Sequence, residues 1–295
     1  MADPISPRHL FCFGCGYTAQ RLAQRMLASG ARVSGTTRTR EGIERLTALG
    51  VVGHVFDGRG ALPADALDGV TEVLCSIPPG EDGEDGVISV HGETLANLPT
   101  LRWSALLSTT GVYGDVDGAW IDETAPLRPS AERGRRRVAC EARWLRWAEA
   151  TGKAVQVLRL PGIYGPYRSP FARLRAGTAQ RVLKAGHVFN RIHVDDIVSA
   201  LALAMARPEA GPIFHLADDE PAPADEVLTH AASLLGLPPP PATTFEDEDL
   251  SPMARQFYSE CKRLITTNAK RELGFSPAYP TFREGLAAVL AEEAE

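Results

Sequence analysis

Three groups of residues carry side chains or backbone that could do chemistry. Gly14, Gly16 and Ala19 form a G-x-G-x-x-A between the apolar run "HLFCFG" and the helical run "YTAQRLAQRMLASG". In that setting the first glycine permits a tight turn and the second lets backbone approach a pyrophosphate. The small residue at 19 lets helix and strand pack closely, and the helix start offers unpaired N–H groups to the phosphates. Backbone at Gly14, Cys15, Gly16, Tyr17 and Thr18 is therefore expected to hold a dinucleotide. The second group follows the next strand, in "GTTRTRE". No carboxylate occurs there before Glu41, whereas Thr36, Thr37, Arg38 and Arg40 offer hydroxyls and guanidinium groups. Such groups suit a 2'-phosphate, so NADP is expected over NAD. The third group is "AERGRRRVACE", with four arginines in the five positions 133 to 137. Residues four apart share a helical face, so Arg133 and Arg137 point the same way on a helix.

Two further stretches would border the same cofactor. Asp57, ending "VVGHVFD", is placed to meet the adenine amino group, and Ile77 and Pro78 of "TEVLCSIPP" would lie along it. Cys12 and Cys15 form a C-x-x-C, but no second pair or histidine cluster accompanies it, so neither metal nor redox work is expected of it. The five cysteines, at 12, 15, 75, 140 and 261, do not make a disulfide framework.

The elements that must position these residues alternate. "HLFCFG", "ARVSGTTR", "VVGHVFD", "TEVLCSIPP", "SALLSTT", "AVQVLRLP" and "PIFHLA" read as strands, with amphipathic helices between most of them. Such alternation predicts a parallel sheet covered on both faces. In the first helix Ala19, Leu22, Ala23, Met26 and Leu27 fall on one face and Gly30 supplies the stop. The fold class is α/β, a Rossmann-type doubly wound parallel sheet with a smaller C-terminal substrate lobe. Residues 1–165 and about 191–218 are expected in the dinucleotide-binding domain, and about 166–190 and 219–295 in the lobe. "GLPPPPATTFEDEDLSP", residues 236–252, reads as a solvated loop.

Composition narrows the function. In 295 residues, a hydrophobic fraction of 44% and a charged fraction of 23% are those of an ordinary globular protein. No apolar run reaches the roughly 20 residues that span a bilayer. "MADPISPRHL" lacks a basic start followed by an apolar stretch, so a cytoplasmic location is expected. A net charge of -6 argues against a nucleic-acid binder, which needs an extended basic surface. A small-molecule substrate is the expected partner.

Several ordered motifs, "LSTTGVYGD", "DETAPLRP", "LRLPGIYGP", "RIHVDDIVSAL" and "KRELGFSPAYPTFREGL", resemble those of an extended short-chain dehydrogenase/reductase, the superfamily of nucleotide-sugar epimerases and dehydratases. The resemblance spans nearly the whole chain. It implies a nucleotide-sugar or related polyol substrate, a homodimer, and cofactor contacts from Ser108 and Pro161. It also implies that Thr109, three residues before Val112-Tyr113-Gly114, polarises the substrate oxygen. Where the family places the Tyr and Lys of Y-x-x-x-K, counting back from Ala139-Cys140-Glu141, this chain has Arg133 and Arg137. The family's glycine pattern is altered too, with Phe13 at its first position. An arginine, with a pKa above about 12, cannot release a proton near pH 7. Arg137 could still hold a ribose or phosphate, and Arg133 could clamp an anion beside Thr109.

The alternative is that Glu132, Arg136, Arg137 and Glu141 form ion pairs on a solvated helix face, with Val138, Ala142, Leu145 and Ala148 buried. Substitutes for the tyrosine are Tyr113 first, then Asp115, Asp122, Glu123 and Tyr164; Asp122 and Glu123 are expected rather to cap the loop or pair with these arginines. His193 is expected to be structural, ahead of Asp195 as a helix N-cap. Two functions follow: an NADP-dependent oxidoreductase or epimerase/dehydratase-like enzyme with a non-standard proton donor, or a non-catalytic NADP-binding sensor or scaffold.

Overall fold

In the computed structural model, residues 8–81, 83–246, 255 and 257–294 are described. The chain divides into two compact units: residues 1–109, 132–159 and 198–214, and residues 110–131, 160–197 and 215–295. The segment 110–131 thus joins the second unit.

The first unit is built on a seven-stranded sheet. Its strands are β1 (His9–Phe13), β2 (Arg32–Thr37), β3 (Val52–Val55), β4 (Glu72–Cys75), β5 (Trp103–Thr109), β6 (Val155–Leu160) and β7 (Ile213–His215). All seven coincide with the apolar runs of the sequence. Their order is β7-β6-β5-β4-β1-β2-β3, and β1 pairs in parallel with both β2 and β4. The chain therefore runs outward from β1 to β3, then returns to the other side of β1 at β4. That reversal opens a crevice beyond the carboxyl ends of β1 and β4. Helices α1 (Tyr17–Ala28), α2 (Arg40–Ala48), α3 (Gly86–Asn97) and α4 (Glu132–Thr151) join the strands. α1 buries Ala19, Leu22, Ala23 and Met26, the face its spacing predicts, and Gly30 ends it at φ +82.

α4 begins at Glu132, but its inner face differs from the expected one. Gly134, Cys140, Glu141 and Trp144 are buried, while Val138, Ala142, Leu145 and Ala148 are only half-buried. Polar groups fix this face. The Asp85 carboxylate caps α3 through the N–H of Ile88 at 2.8 Å and accepts from the Trp144 indole at 2.7 Å and the Cys140 thiol at 2.9 Å. Glu141, expected at the surface, is buried against Arg159 of β6, with Nη2–Oε2 2.8 Å and the Ser108 hydroxyl donating to Oε1. A helical wheel gives spacing but not which stripe faces inward, and an apolar run does not reveal that its one arginine is paired.

In the second unit, short parallel strand pairs join Gly162–Tyr164 to Arg191–His193, Arg181–Leu183 to Ala242–Thr244, and Trp120–Ile121 to Arg263–Leu264. Part of the stretch 236–252 read as loop is therefore strand; its residues 247–252, like residues 1–7, lie outside the described ones. Tyr164, Phe171, Leu228, Phe282 and Leu286 build the core. Asp195 lies inside the first turn of the helix Val194–Met205 rather than capping it. No helix among the described residues is long and apolar enough to cross a membrane.

A buried carboxyl in this unit gives a testable pH dependence. Asp218 is 4% exposed, and burial pushes its pKa up to about 8 against the opposing pull of the Arg191 guanidinium and the Glu220 N–H. A carboxyl with a raised folded-state pKa keeps a proton that the unfolded chain gives up, so its contribution to stability falls as pH rises from about 4 to about 8. Asp218→Asn is expected to gain on the native chain by about 2–3 kcal/mol between pH 5 and pH 8. Urea midpoints across that range check this, and parallel curves for the two proteins would contradict it.

Candidate functional site

The first unit holds a cleft of about 980 Å³ at the carboxyl ends of β1 to β4. This is the upper end of the ~300–1,000 Å³ that small-molecule sites span. Four short segments wall it: Gly14–Gly16 after β1, Thr36–Arg38 ending β2, Phe56–Arg59 after β3, and Ser76–Glu81 after β4.

Backbone latches hold the glycine loop. The N–H of Gly14 donates to Thr36 Oγ1 and that of Cys15 to the Thr36 carbonyl, both at 2.8 Å. Ser76 Oγ donates to the Gly14 carbonyl, and Gln20 Nε2 to the Cys15 carbonyl at 2.8 Å. The two glycines answer to different needs. Gly14 sits at φ +83, and a Cβ there would fall 2.4 Å from Ile77 Cγ2, so the fold itself requires glycine. Gly16 has φ -88 and ψ -162, open to any residue, and a Cβ there would meet nothing within 4 Å. No atom of the described residues explains a glycine at 16; the open space fits a bound group that must approach the backbone. Gly16 also caps α1 with no side-chain hydrogen bond and no acid in the first turn, leaving the helix's positive end for an anion.

These properties separate two substitutions. Gly14→Ala is expected to destabilise the fold by about 2–3 kcal/mol, from the left-handed backbone and the clash. Gly16→Ala should leave stability within about 0.5 kcal/mol yet weaken dinucleotide binding about tenfold. Thermal unfolding and calorimetric titration read the two effects independently, and a Gly16→Ala protein that binds as tightly as native would contradict this.

Of the residues singled out in the sequence, Gly14, Cys15, Gly16, Thr36, Thr37, Arg38, Asp57, Ile77 and Pro78 line this cleft. Asp57 accepts from the N–H of Arg59 at 2.9 Å and of Gly60 at 3.3 Å, bonds that hold its carboxyl below the usual carboxylate range. Thr18 is buried and Tyr17 half-buried in the first turn of α1. Sequence reasoning missed Arg45 on α2, Arg59, Gln20, Ser76 and Glu84, which also line the cleft. Arg59 and Ser76 follow strands β3 and β4, and strand carboxyl ends are the signal that could have found them.

The remaining candidates fall elsewhere. Thr109 ends β5 and is half-buried; Ser108 is buried with its hydroxyl on Glu141. Arg133 is exposed in the first turn of α4. Arg135 and Arg136 pair with Glu132, whereas Arg137 Nη1 donates to the Leu107 carbonyl at 3.2 Å, bringing it to the end of β5. Pro161 is half-buried just after β6. In the second unit the Tyr113 hydroxyl, fully buried, lies 2.5 Å from His215 Nε2, and His215 Nδ1 is 3.1 Å from the Ile265 carbonyl. A carbonyl only accepts, so Nδ1 carries the proton and Tyr113 donates to Nε2. Tyr113 is thereby a packed structural donor. The Tyr164 hydroxyl packs on Gly285, and burial pushes its pKa up. Asp115 accepts from the N–H of Cys261 at 2.7 Å, and Asp122 from the hydroxyl and N–H of Thr124. Glu123 accepts from the His215 N–H and from Asn268, both at 2.8 Å. The loop acids thus bind their own unit. His193 Nδ1 accepts from the Asp195 N–H at 3.2 Å, a structural contact.

Residues 104–217 match the NAD dependent epimerase/dehydratase family. The chain is 45% identical to a conserved protein of unknown function from Silicibacter pomeroyi DSS, with a TM-score of 0.88, covering 97% of this chain and 99% of that one. It is 35% identical over 184 residues to the 3-diazoavenalumate denitrifying reductase of Streptomyces sp, covering 56% of this chain and 58% of the reductase. UDP-glucuronic acid 4-epimerase from Bacillus cereus, solved in complex with NAD, is 16% identical and shares the fold at a TM-score of 0.76, over 97% of this chain and all of that one.

Proposed function

We propose that the chain, whose residues 104–217 match the NAD dependent epimerase/dehydratase family, is a member of that family and an NADP-dependent oxidoreductase or epimerase/dehydratase-like enzyme acting on a nucleotide sugar or a related polyol or carbonyl compound. The observation that carries this is the cleft itself. It joins a glycine loop with open space at Gly16 to three guanidinium groups, Arg38, Arg45 and Arg59. Three cations with no carboxylate ending β2 favour a phosphate over free ribose hydroxyls.

In this reading the pyrophosphate lies against the N–H groups at the start of α1, with Tyr17 and Thr18 behind it. Arg38 and Thr37 hold the 2'-phosphate, Asp57 accepts from the adenine amino group, and Ile77 and Pro78 support the cofactor's flank. Ser108 borders it further along. When bound, the nicotinamide supplies or accepts a hydride. Thr109 polarises the substrate oxygen by hydrogen bonding. Arg137, already drawn to the Leu107 carbonyl, holds the ribose as a fixed cation; neither it nor Arg133 moves a proton. The similarity to a reductase supports turnover.

A second reading, a non-catalytic NADP-binding sensor or scaffold, is favoured by the buried hydroxyls of Tyr113 and Tyr164 and the exposed Arg133. One assay separates the two. The purified chain with NADPH, a panel of nucleotide sugars and carbonyl compounds should oxidise NADPH or epimerise a sugar, and Thr109→Ala should slow this by about 100-fold. Tight NADPH binding without turnover of any substrate would select the sensor.

A further inference from the structure

The proposed function leaves one sequence motif unused: the C-x-x-C that overlaps the glycine loop. Cys12 of β1 pairs in register with Gly35 of β2. A Cβ at Gly35 would fall 3.4 Å from Cys12 Cβ and 3.0 Å from Cys15 Cβ, so this glycine makes room for two cysteines, one in β1 and one in the loop after it. Both thiols are free. Cys12 is fully buried, whereas Cys15 lines the dinucleotide cleft. Cys15 is itself only 7% exposed, so the cleft is the side from which it can be reached, and Cys12 lies behind it.

We propose that Cys12 and Cys15 form an oxidisable dithiol, that a hydroperoxide converts it to a disulfide, and that the bridge expels the dinucleotide from the loop. This rests on the cleft being a dinucleotide site. Cys15 is the attacking group, because it lines the cleft whereas Cys12 is fully buried, and the neighbouring Cys12 thiol draws its pKa below the ordinary value against the effect of burial. Its thiolate takes the terminal peroxide oxygen to give a sulfenic acid and an alcohol, or water from hydrogen peroxide. The Cys12 sulfur then attacks the sulfenic sulfur, forming the S–S bond and releasing water. Two thiols are oxidised by two electrons and one peroxide O–O bond is reduced.

The displacement follows from what can move. Cys12 is locked between β2 and β4 by strand pairing on both sides. An S–S bond of about 2.05 Å is much shorter than the contact of two unbonded sulfurs, so the contraction falls on residues 13 to 15. Gly14 is packed on Ile77 and clasped by Thr36 and Ser76, so the pull falls on Cys15, whose hydrogen bonds to the Thr36 carbonyl and from Gln20 must give as it shifts and carries the Gly16 backbone with it.

The test uses the full native chain, reduced or treated with hydrogen peroxide. Oxidation should remove two thiols, leave the peptide holding residues 12 and 15 two hydrogens lighter, and weaken NADPH binding at least about tenfold. Dithiothreitol should restore both, prior NADPH should slow the oxidation, and Cys12→Ala should bind NADPH when reduced but form no bridge. A bridged protein that binds NADPH within about twofold of the reduced form overturns the proposal, as does excess peroxide that leaves both cysteines unbridged. If the reduced chain binds neither NADPH nor NADH, the cofactor reading falls and the displacement with it, while the thiol count still decides whether the bridge forms.

Discussion

Arg38→Asp should reverse the cofactor preference, moving the ratio of NADPH to NADH affinity by about 100- to 1,000-fold. Removing one charge-assisted contact to the 2'-phosphate costs roughly 1.5–3 kcal/mol, or about 10- to 100-fold. The introduced carboxylate adds repulsion towards the phosphate and accepts from the free ribose hydroxyls of NADH, which supplies the rest. Arg38 is exposed at the end of β2, so the fold should tolerate the change within about 0.5 kcal/mol. Arg45 and Arg59 remain in the cleft and keep some NADPH affinity in the variant. Titrating both cofactors into both proteins measures the swing. An unchanged ratio would place the phosphate elsewhere.

Arg159→Met is the substitution expected to cost most in stability, about 3–5 kcal/mol, because it strands a buried charge. Glu141 and Arg159 are each 2% exposed. Besides the Nη2–Oε2 contact, Arg159 Nε lies 3.3 and 3.2 Å from the two Glu141 oxygens. The double variant Glu141→Leu with Arg159→Met should recover most of the loss, since well-packed apolar groups commonly replace a buried ion pair at little cost. Ser108 then lacks its acceptor, so recovery should fall short by about 1 kcal/mol. Urea midpoints at constant slope give these values. A single variant losing under about 1 kcal/mol would mean the pair is dispensable. The pair ties α4 to β6, and Ser108 ties it to β5, so it also fixes where Arg137 meets the end of β5.

The sheet was legible in the sequence because parallel strands buried on both faces read as unbroken apolar runs; "HLFCFG" and "SALLSTT" announce themselves. The glycine loop was legible because its meaning depends on immediate neighbours, a strand before and a helix after. Arg45 and Arg59 were not, since they come together only where α2 and the end of β3 meet over the cleft. The Glu141–Arg159 pair joins residues 18 apart in the chain, and neither side chain signals its partner. The strand Ala242–Thr244 is not legible because its support is its pairing with Arg181–Leu183, distant in sequence, and the proline run beside it dominates local pattern. Spacing cannot reveal that the Tyr113 hydroxyl lies against His215 Nε2.

The central claim is that a dinucleotide lies across the glycine loop with its adenosine end at β2. Crystals grown with NADPH test it most directly. The pyrophosphate should sit about 3 Å from the backbone N–H at Gly16, and the 2'-phosphate at a similar distance from the Arg38 guanidinium. NADPH bound away from Gly14–Gly16, or a chain that takes up neither NADPH nor NADH at saturating concentration, would contradict it.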